Sequence, residues 1–172
     1  LERMGVECVC VNCEPTGEFA HNPEPLPSNL VELCEAVVAN GADFGISVDP
    51  DVDRLALICE NGQPFGEEYT LVSVADYLLS RIYNEALETG KSIEEIAAPY
   101  QMVTSSNLSS SRALRDVTEQ YGGEYCTAAV GEVNVTTKMR EAGALIGGEG
   151  NGGVIYPALH YGRDAMVGVA LF

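Results

Sequence analysis

The sequence predicts an α/β fold made of two layered units, residues 1–66 and 67–172. Three observations carry this. Short apolar runs of strand length, such as Phe44 to Val48 and Leu55 to Cys59, alternate with stretches of helical periodicity. Glycines stand where those helical stretches should end, at Gly41, Gly122 and Gly143. The strand–helix alternation then restarts beyond Gly66.

Taken in order, Leu1 to Gly5 reads as the last turn of a helix closed by Gly5, and Val6 to Val11 as a strand. Proline-rich loop covers Glu14 to Leu26. Ser28 is expected to cap a helix running to about Asn40, whose apolar residues include Leu30, Leu33, Cys34, Val37 and Val38. Strands at Asp43–Val48 and Leu55–Glu60 follow, with Asn61-Gly62 as a tight turn. In the second unit, Tyr69 to Glu88 is a long helix with Leu71, Val74, Ala75, Leu78, Leu79 and Ile82 on one face. Next come a strand at Ala97–Thr104, a helix at Ser110–Tyr121, a strand at Tyr125–Ala129 and a helix at Val133–Ala142. A short strand at Leu145-Ile146 and a helix from Arg163 complete the reading.

Between the first unit's two strands lies Asp49-Pro50-Asp51-Val52-Asp53-Arg54. Three carboxylates alternating within five residues repel one another unless a cation neutralises them. Hard oxygen donors at this density suit Mg²⁺ or Ca²⁺ better than zinc or copper. A solvated acidic turn is the plain alternative. An EF-hand loop is excluded, because Arg54 stands where it needs glycine, Pro50 follows the first ligand, and the flanks read as strands.

The acidic surface, with net charge −17 over 172 residues, would repel nucleic acid and anionic membranes, so neither is an expected partner. No run reaches the roughly 18 apolar residues of a membrane span, and no secretory signal is visible. Six cysteines invite thoughts of disulfides or zinc. Cys8 and Cys10, however, alternate with Val9 and Val11 and read as thiols packed in a strand; only two histidines accompany them. A reducing cytoplasm is the simpler expectation.

The acidic loop, preceded by Gly41-Ala42-Asp43-Phe44-Gly45, resembles the magnesium loop of the α-D-phosphohexomutases, Asp-x-Asp-x-Asp-Arg after a Gly-Ala-Asp-x-Gly strand start. The resemblance implies two three-layer α/β/α units with mixed sheets, the first truncated: the end of a second mutase domain and most of a third. It implies Asp49, Asp51 and Asp53 as Mg²⁺ ligands beside a phosphoserine from another domain, with Arg54 orienting the phosphate-bearing site. Gly147-Gly148-Glu149-Gly150-Asn151-Gly152-Gly153 resembles the family's sugar loop, Gly-Glu-x-Ser-Gly-His. On bare composition a flexible surface turn is the better reading of it. By resemblance Glu149 and Asn151 meet sugar hydroxyls, while the family histidine is replaced by Gly153. Val130-Gly131-Glu132-Val133 resembles a Val-Gly-x-Lys/Arg loop whose basic residue is Val133 here, and Lys138 and Arg140 read as a solvated helix face.

The family's catalytic serine belongs to a Ser-His-Asn-Pro loop, whereas Ala20 precedes His21-Asn22-Pro23 here, so His21 is given a structural role. The implied parent enzyme moves a phosphoryl group between C1 and C6 of a hexose phosphate. Its partners would be that substrate and the parent's remaining domains, and this chain alone is expected to be inactive. Phosphoglucosamine mutase is an alternative within the family, and a non-catalytic sugar- or cation-binding module is the alternative outside catalysis.

Overall fold

The computed structural model describes residues 1–172. The first unit contains helix α1 (Val31–Asn40) and strands β1 (Phe44–Val48) and β2 (Leu55–Cys59). The strands form an antiparallel hairpin in which Phe44 faces Cys59 and Val48 faces Leu55. All of Leu55 to Ile58 is buried, because the hairpin is covered on both sides. Ala56 and Ile58 pack with Leu30 and Val37 beneath α1. Leu55 and Leu57 pack on Ala165 and Val169 of α6 (Ala165–Leu171), which returns from the far end of the chain. Phe172 sets its ring edgewise on both Phe44 and Phe65.

The second unit runs α2 (Glu67–Thr89), α3 (Ile93–Ala97), β3 (Gln101–Asn107), α4 (Ala113–Gln120), β4 (Glu124–Ala128), α5 (Glu132–Ala142), β5 (Ala144–Glu149) and β6 (Gly153–Ile155), ahead of α6. Its sheet has the order β4-β3-β5-β6. The first three strands are parallel and β6 is antiparallel, so the sheet is mixed. Leu71, Val74 and Leu79 of α2 and Leu114 of α4 build the core with Leu145 and Val154. Val135 and Met139 of α5 build another with Val103, Ala144 and Ile155. Helices thus lie on both faces of the sheet, which is the layered α/β/α arrangement. Ligands of such folds bind at the carboxyl ends of parallel strands; here those ends are Asn107, Ala128 and Glu149.

Several expected elements differ. Val6 to Val11 forms no strand, since an alternating pattern becomes a strand only with a ladder partner, and β1 pairs only with β2. A cleft of about 490 Å³ lies between this segment, α1 and β1. Cys8 and Cys10 are consequently exposed free thiols, not packed ones. Ser28 lies in a single 3₁₀ turn, Pro27–Asn29, and gives α1 no side-chain cap; the helix starts after Leu30. The strand expected from Ala97 starts only at Gln101, because Ser92 and Glu95 form a capping box that nucleates α3 just before it. The helix expected from Ser110 starts at Ala113. β5 extends through the glycines to Glu149 and turns into β6, so Glu149 stands on a strand instead of in a flexible turn.

Candidate functional site

The hairpin β1–β2 presents Asp49 to Arg54 as its connecting loop. Asp49 is buried and organises it: one oxygen, Oδ1, accepts the amides of Asp53 and Arg54, both at 3.0 Å. Its Oδ2 accepts Arg54 Nε at 2.6 Å. Burial alone would raise this carboxyl, but these bonds from Arg54 and Asp53 outweigh it and hold it down to about 2. Asp53 moves the other way: burial and the charges of Asp49 and Asp51 push it up, although Arg163 pulls it down. Arg54 is pushed above its ordinary value by hydrogen bonds to Glu24, at 2.8 and 3.3 Å, and to Asp49.

Asp49, Asp51 and Asp53 offer carboxylate oxygens that all lie within 4.8 Å of one another. Asp53 Oδ1 is buried without a hydrogen-bond partner, and Arg54 Nε stands 3.6 Å away, too far to donate. An unpartnered oxygen facing two further carboxylates fits a hard divalent cation.

Glu149 ends β5, with only 6% of its surface exposed. Its Oε1 accepts Asn107 Nδ2 at 2.6 Å and the Gly131 amide at 3.3 Å, and its Oε2 accepts Arg163 Nη1 at 2.9 Å. Asn107, itself buried, is fixed by Ser109 and Ser110, whose hydroxyls donate to its Oδ1 at 2.9 and 2.7 Å. Register explains the meeting: Ser105 and Ser106 of β3 face Gly147 and Gly148 of β5, so Asn107 and Glu149 come side by side. Glu149 and Asn151 line one cavity of about 200 Å³ with Glu67, Glu68, Asn107 and Ser109. The Asn151 side chain accepts the Gly153 amide at 3.3 Å.

Arg163 joins the two places. Its Nη2 donates to Asp53 Oδ2 and its Nη1 to Glu149 Oε2, and its amide donates to Glu132 Oε1 at 2.9 Å. Asp49, Asp51, Asp53, Arg54, Glu149 and Asn151 are thereby brought to one side of the molecule around a residue that motif reading passed over. Its one signal was position, as the only cation after Arg140 in a chain of nine. Asn107 has no periodic or motif signature, and Glu132 stands only at the variable position of the Val130-Gly131-Glu132-Val133 loop. His21 is exposed, its ring held to the Asn22 carbonyl at 2.7 Å. Lys138 lies half-buried near Glu141, and Arg140 is exposed, with its guanidinium over the Tyr161 ring at 4.3 Å.

Comparison with known proteins agrees with this fold. The model for phosphoglucomutase/phosphomannomutase alpha/beta/alpha domain II matches residues 1–62, and that for domain III matches residues 70–172. A phosphoglucomutase/phosphomannomutase of Thermococcus kodakarensis is 36% identical over 171 residues, covering 99% of this chain and 34% of its own length. A probable phosphoglucosamine mutase of Methanopyrus kandleri is 33% identical over the same span, again covering 34% of its own length. The crystal structure of a phosphoglucomutase/phosphomannomutase family protein from Burkholderia thailandensis superposes with TM-score 0.69 at 28% identity, over 87% of this chain and 30% of that one. The chain spans about a third of the length of the curated relatives it matches. With both family models matched across almost all of its residues, the chain belongs to the phosphoglucomutase/phosphomannomutase family, within the region of the family's domains II and III.

Proposed function

We propose that the chain supplies the metal loop and the sugar loop of a phosphohexomutase that transfers a phosphoryl group between C1 and C6 of a hexose phosphate. The observation that carries this is the convergence of three aspartate oxygens within 4.8 Å, on a loop whose Asp53 is bridged through Arg163 to Glu149. We place the boundary between the two units at residues 66 and 67, where the turn after β2 gives way to α2.

Asp49, Asp51 and Asp53 would hold Mg²⁺, which when bound supplies Lewis acidity and neutralises charge on a phosphoryl group. Arg54 acts as a positioning residue. Its guanidinium is committed to Asp49 and Glu24, so it fixes the ligand carboxylate and the loop. Glu149 accepts hydrogen bonds from sugar hydroxyls, its orientation set by Asn107, Gly131 and Arg163, and Asn151 reads a further hydroxyl from the same cavity. Positioning of this kind is where phosphoryl transfer gains most of its rate. The sequence holds no Ser-His-Asn-Pro donor loop, Ala20-His21-Asn22-Pro23 being only a look-alike, which supports the reading that this chain alone turns over no sugar phosphate. Its six free thiols accord with a cytoplasmic setting, and no helix is long and apolar enough to cross a membrane.

The test uses the full-length parent. Groups that only hydrogen-bond a metal's ligands already cost about 10–100-fold when lost. Asp51→Asn, a direct ligand change, is therefore expected to lower Mg²⁺-dependent mutase turnover at least about 100-fold with the fold intact. Glu149→Gln weakens a charge-assisted acceptor worth about 1.5–3 kcal/mol, and should reduce kcat/KM at least about tenfold. Wild-type activity in both variants would refute the assignment. Assays against glucose, mannose and glucosamine phosphates decide between the phosphoglucomutase/phosphomannomutase and phosphoglucosamine mutase readings, which differ in the group at C2.

A further inference from the structure

We propose that Arg163 is a positioning residue that couples cation binding at the aspartate loop to sugar binding at Glu149. The inference rests on the reading above and adds a linkage between its two sites. Residues 53 and 163 are far apart in sequence, yet one guanidinium bonds Asp53 through Nη2 and Glu149 through Nη1, the latter at 2.9 Å. Glu132 fixes the root of the side chain, accepting the Arg163 amide at 2.9 Å and lying 3.6 Å from its Nε.

Both partners meet Arg163 with one oxygen and keep the other for a second task. Asp53 turns Oδ2 to Arg163 and leaves Oδ1 unpartnered beside Asp49 and Asp51. Glu149 turns Oε2 to Arg163 and gives Oε1 to Asn107 and Gly131. The guanidinium is planar and rigid, so its two terminal nitrogens cannot turn independently. A movement of Glu149 on meeting a hydroxyl therefore rotates the fork against Asp53, and a cation drawing on Asp53 is felt at Glu149. The bridge is enclosed: a Cβ on Gly153 would stand 2.5 Å from Arg163 Cδ. Glycine at 153 thus leaves the space that the arginine stem fills.

Coupling between two binding sites is reciprocal, so it can be read from either end. The experiment takes the 172-residue chain, with Mn²⁺ as the cation probe followed by water-proton relaxation. It compares wild type, Glu149→Gln, Arg163→Lys and the double variant. Neutralising Glu149 leaves the arginine charge to Asp53 alone, so Mn²⁺ affinity should fall about threefold or more in the Arg163 background. In the lysine background, where the fork is gone but the charge remains, Glu149→Gln should leave Mn²⁺ affinity unchanged. Equal losses in both backgrounds, or none in either, overturn the proposal.

Hydrogen exchange of the Asp53 and Arg54 amides, measured without metal, gives a second readout. Glu149→Gln should speed their exchange when Arg163 is present and not when lysine replaces it. A wild-type chain that binds no Mn²⁺ would remove the cation assignment, and the exchange cycle would then decide the linkage alone. Should Arg163→Lys fail to fold, Asp53→Asn breaks the other end of the bridge, and Arg54 exchange must then ignore Glu149→Gln for the proposal to stand.

Discussion

The two acidic loops present carboxylates by opposite means. The turn of the aspartate loop is closed locally, although Arg163 and Ala165 reach it from far along the chain: Asp49 accepts amides only four and five residues ahead of it, and the Asp49 carbonyl accepts the Val52 amide at 3.0 Å. Glu149 is held by groups 14, 18 and 42 residues away, from three other segments. Their backbones differ too. The turn beside Glu149 takes its left-handed residue as glycine, Gly152 with φ 87°, while the aspartate loop uses a β-branched one, Val52 with φ 57°. A local loop can carry strain because few neighbours must agree with it. A loop assembled from four segments needs glycine wherever another backbone arrives.

The largest effect on this difference between the loops is expected from Gly152→Ala. The Leu55 amide donates to the Gly152 carbonyl at 3.1 Å, so this glycine is the point where the two loops touch. A Cβ there would run into the Leu55 backbone, and the positive φ adds its own strain. Strain and overpacking each cost about 1–3 kcal/mol, so the sum is expected near 3 kcal/mol, or roughly 6–12 °C in Tm. Gly17→Ala is the control, with φ 80° but open space around it. It should cost only the strain component, about 1 kcal/mol. Thermal unfolding followed by circular dichroism separates the two, and equal losses would mean that close approach plays no part at Gly152.

The same contrast explains what could be read beforehand. Phe44–Val48 and Leu55–Cys59 are legible as short apolar runs, and α2 because burial on one face imprints a helical period on the chain. The aspartate triplet is legible because its ligands are neighbours in sequence. Val6–Val11 shows the limit of periodicity: the alternation is there, but pairing is a property of two strands, and no second strand lies alongside. β6 escaped notice because Gly153-Val154-Ile155 is too short to show a period and follows a glycine run. Arg163 and Asn107 are invisible for a deeper reason. Their roles arise from the register of β3 on β5 and from the return of the chain before α6, neither of which leaves a local pattern.

The start of α6 is where the two loops share support, since the Ala165 amide donates to the Val52 carbonyl and the Asp164 amide to the Val154 carbonyl, at 3.0 and 2.8 Å. Asp164 caps this helix, its Oδ1 accepting the Val167 amide at 3.0 Å, and its Oδ2 meets His160 Nε2 at 2.9 Å. Burial opposes the charge, but the His160 contact and the amides of Val167 and Met166 hold the carboxyl below its ordinary value. A carboxyl lowered in the folded state adds stability above its unfolded pKa of about 3.9, lost as pH falls through the folded value. Asp164→Ala should therefore cost about 1 kcal/mol at neutral pH, roughly 2–4 °C in Tm. The gap to wild type should narrow as pH falls below about 4. A gap that widens in acid would show that the cap does not act through its charge.

The smallest effect, and the only stabilising one, is expected at Val52. A β-branched residue in the left-handed region costs about 1–3 kcal/mol, and glycine there avoids that cost while losing about 0.5–1 kcal/mol to the freedom of the unfolded chain. Little burial is forfeited, because Val52 is 38% exposed. Both backbone bonds of the residue survive the change, its amide to Asp49 and its carbonyl from Ala165. Val52→Gly should then raise stability by about 0.5–1 kcal/mol, read by urea denaturation without metal. The same variant should bind Mn²⁺ less tightly, since a looser turn no longer holds Asp51 and Asp53 toward Asp49 before the ion arrives. Stability that falls while affinity holds would show that this turn carries no strain, and the distinction drawn between the two loops would then lose its energetic basis.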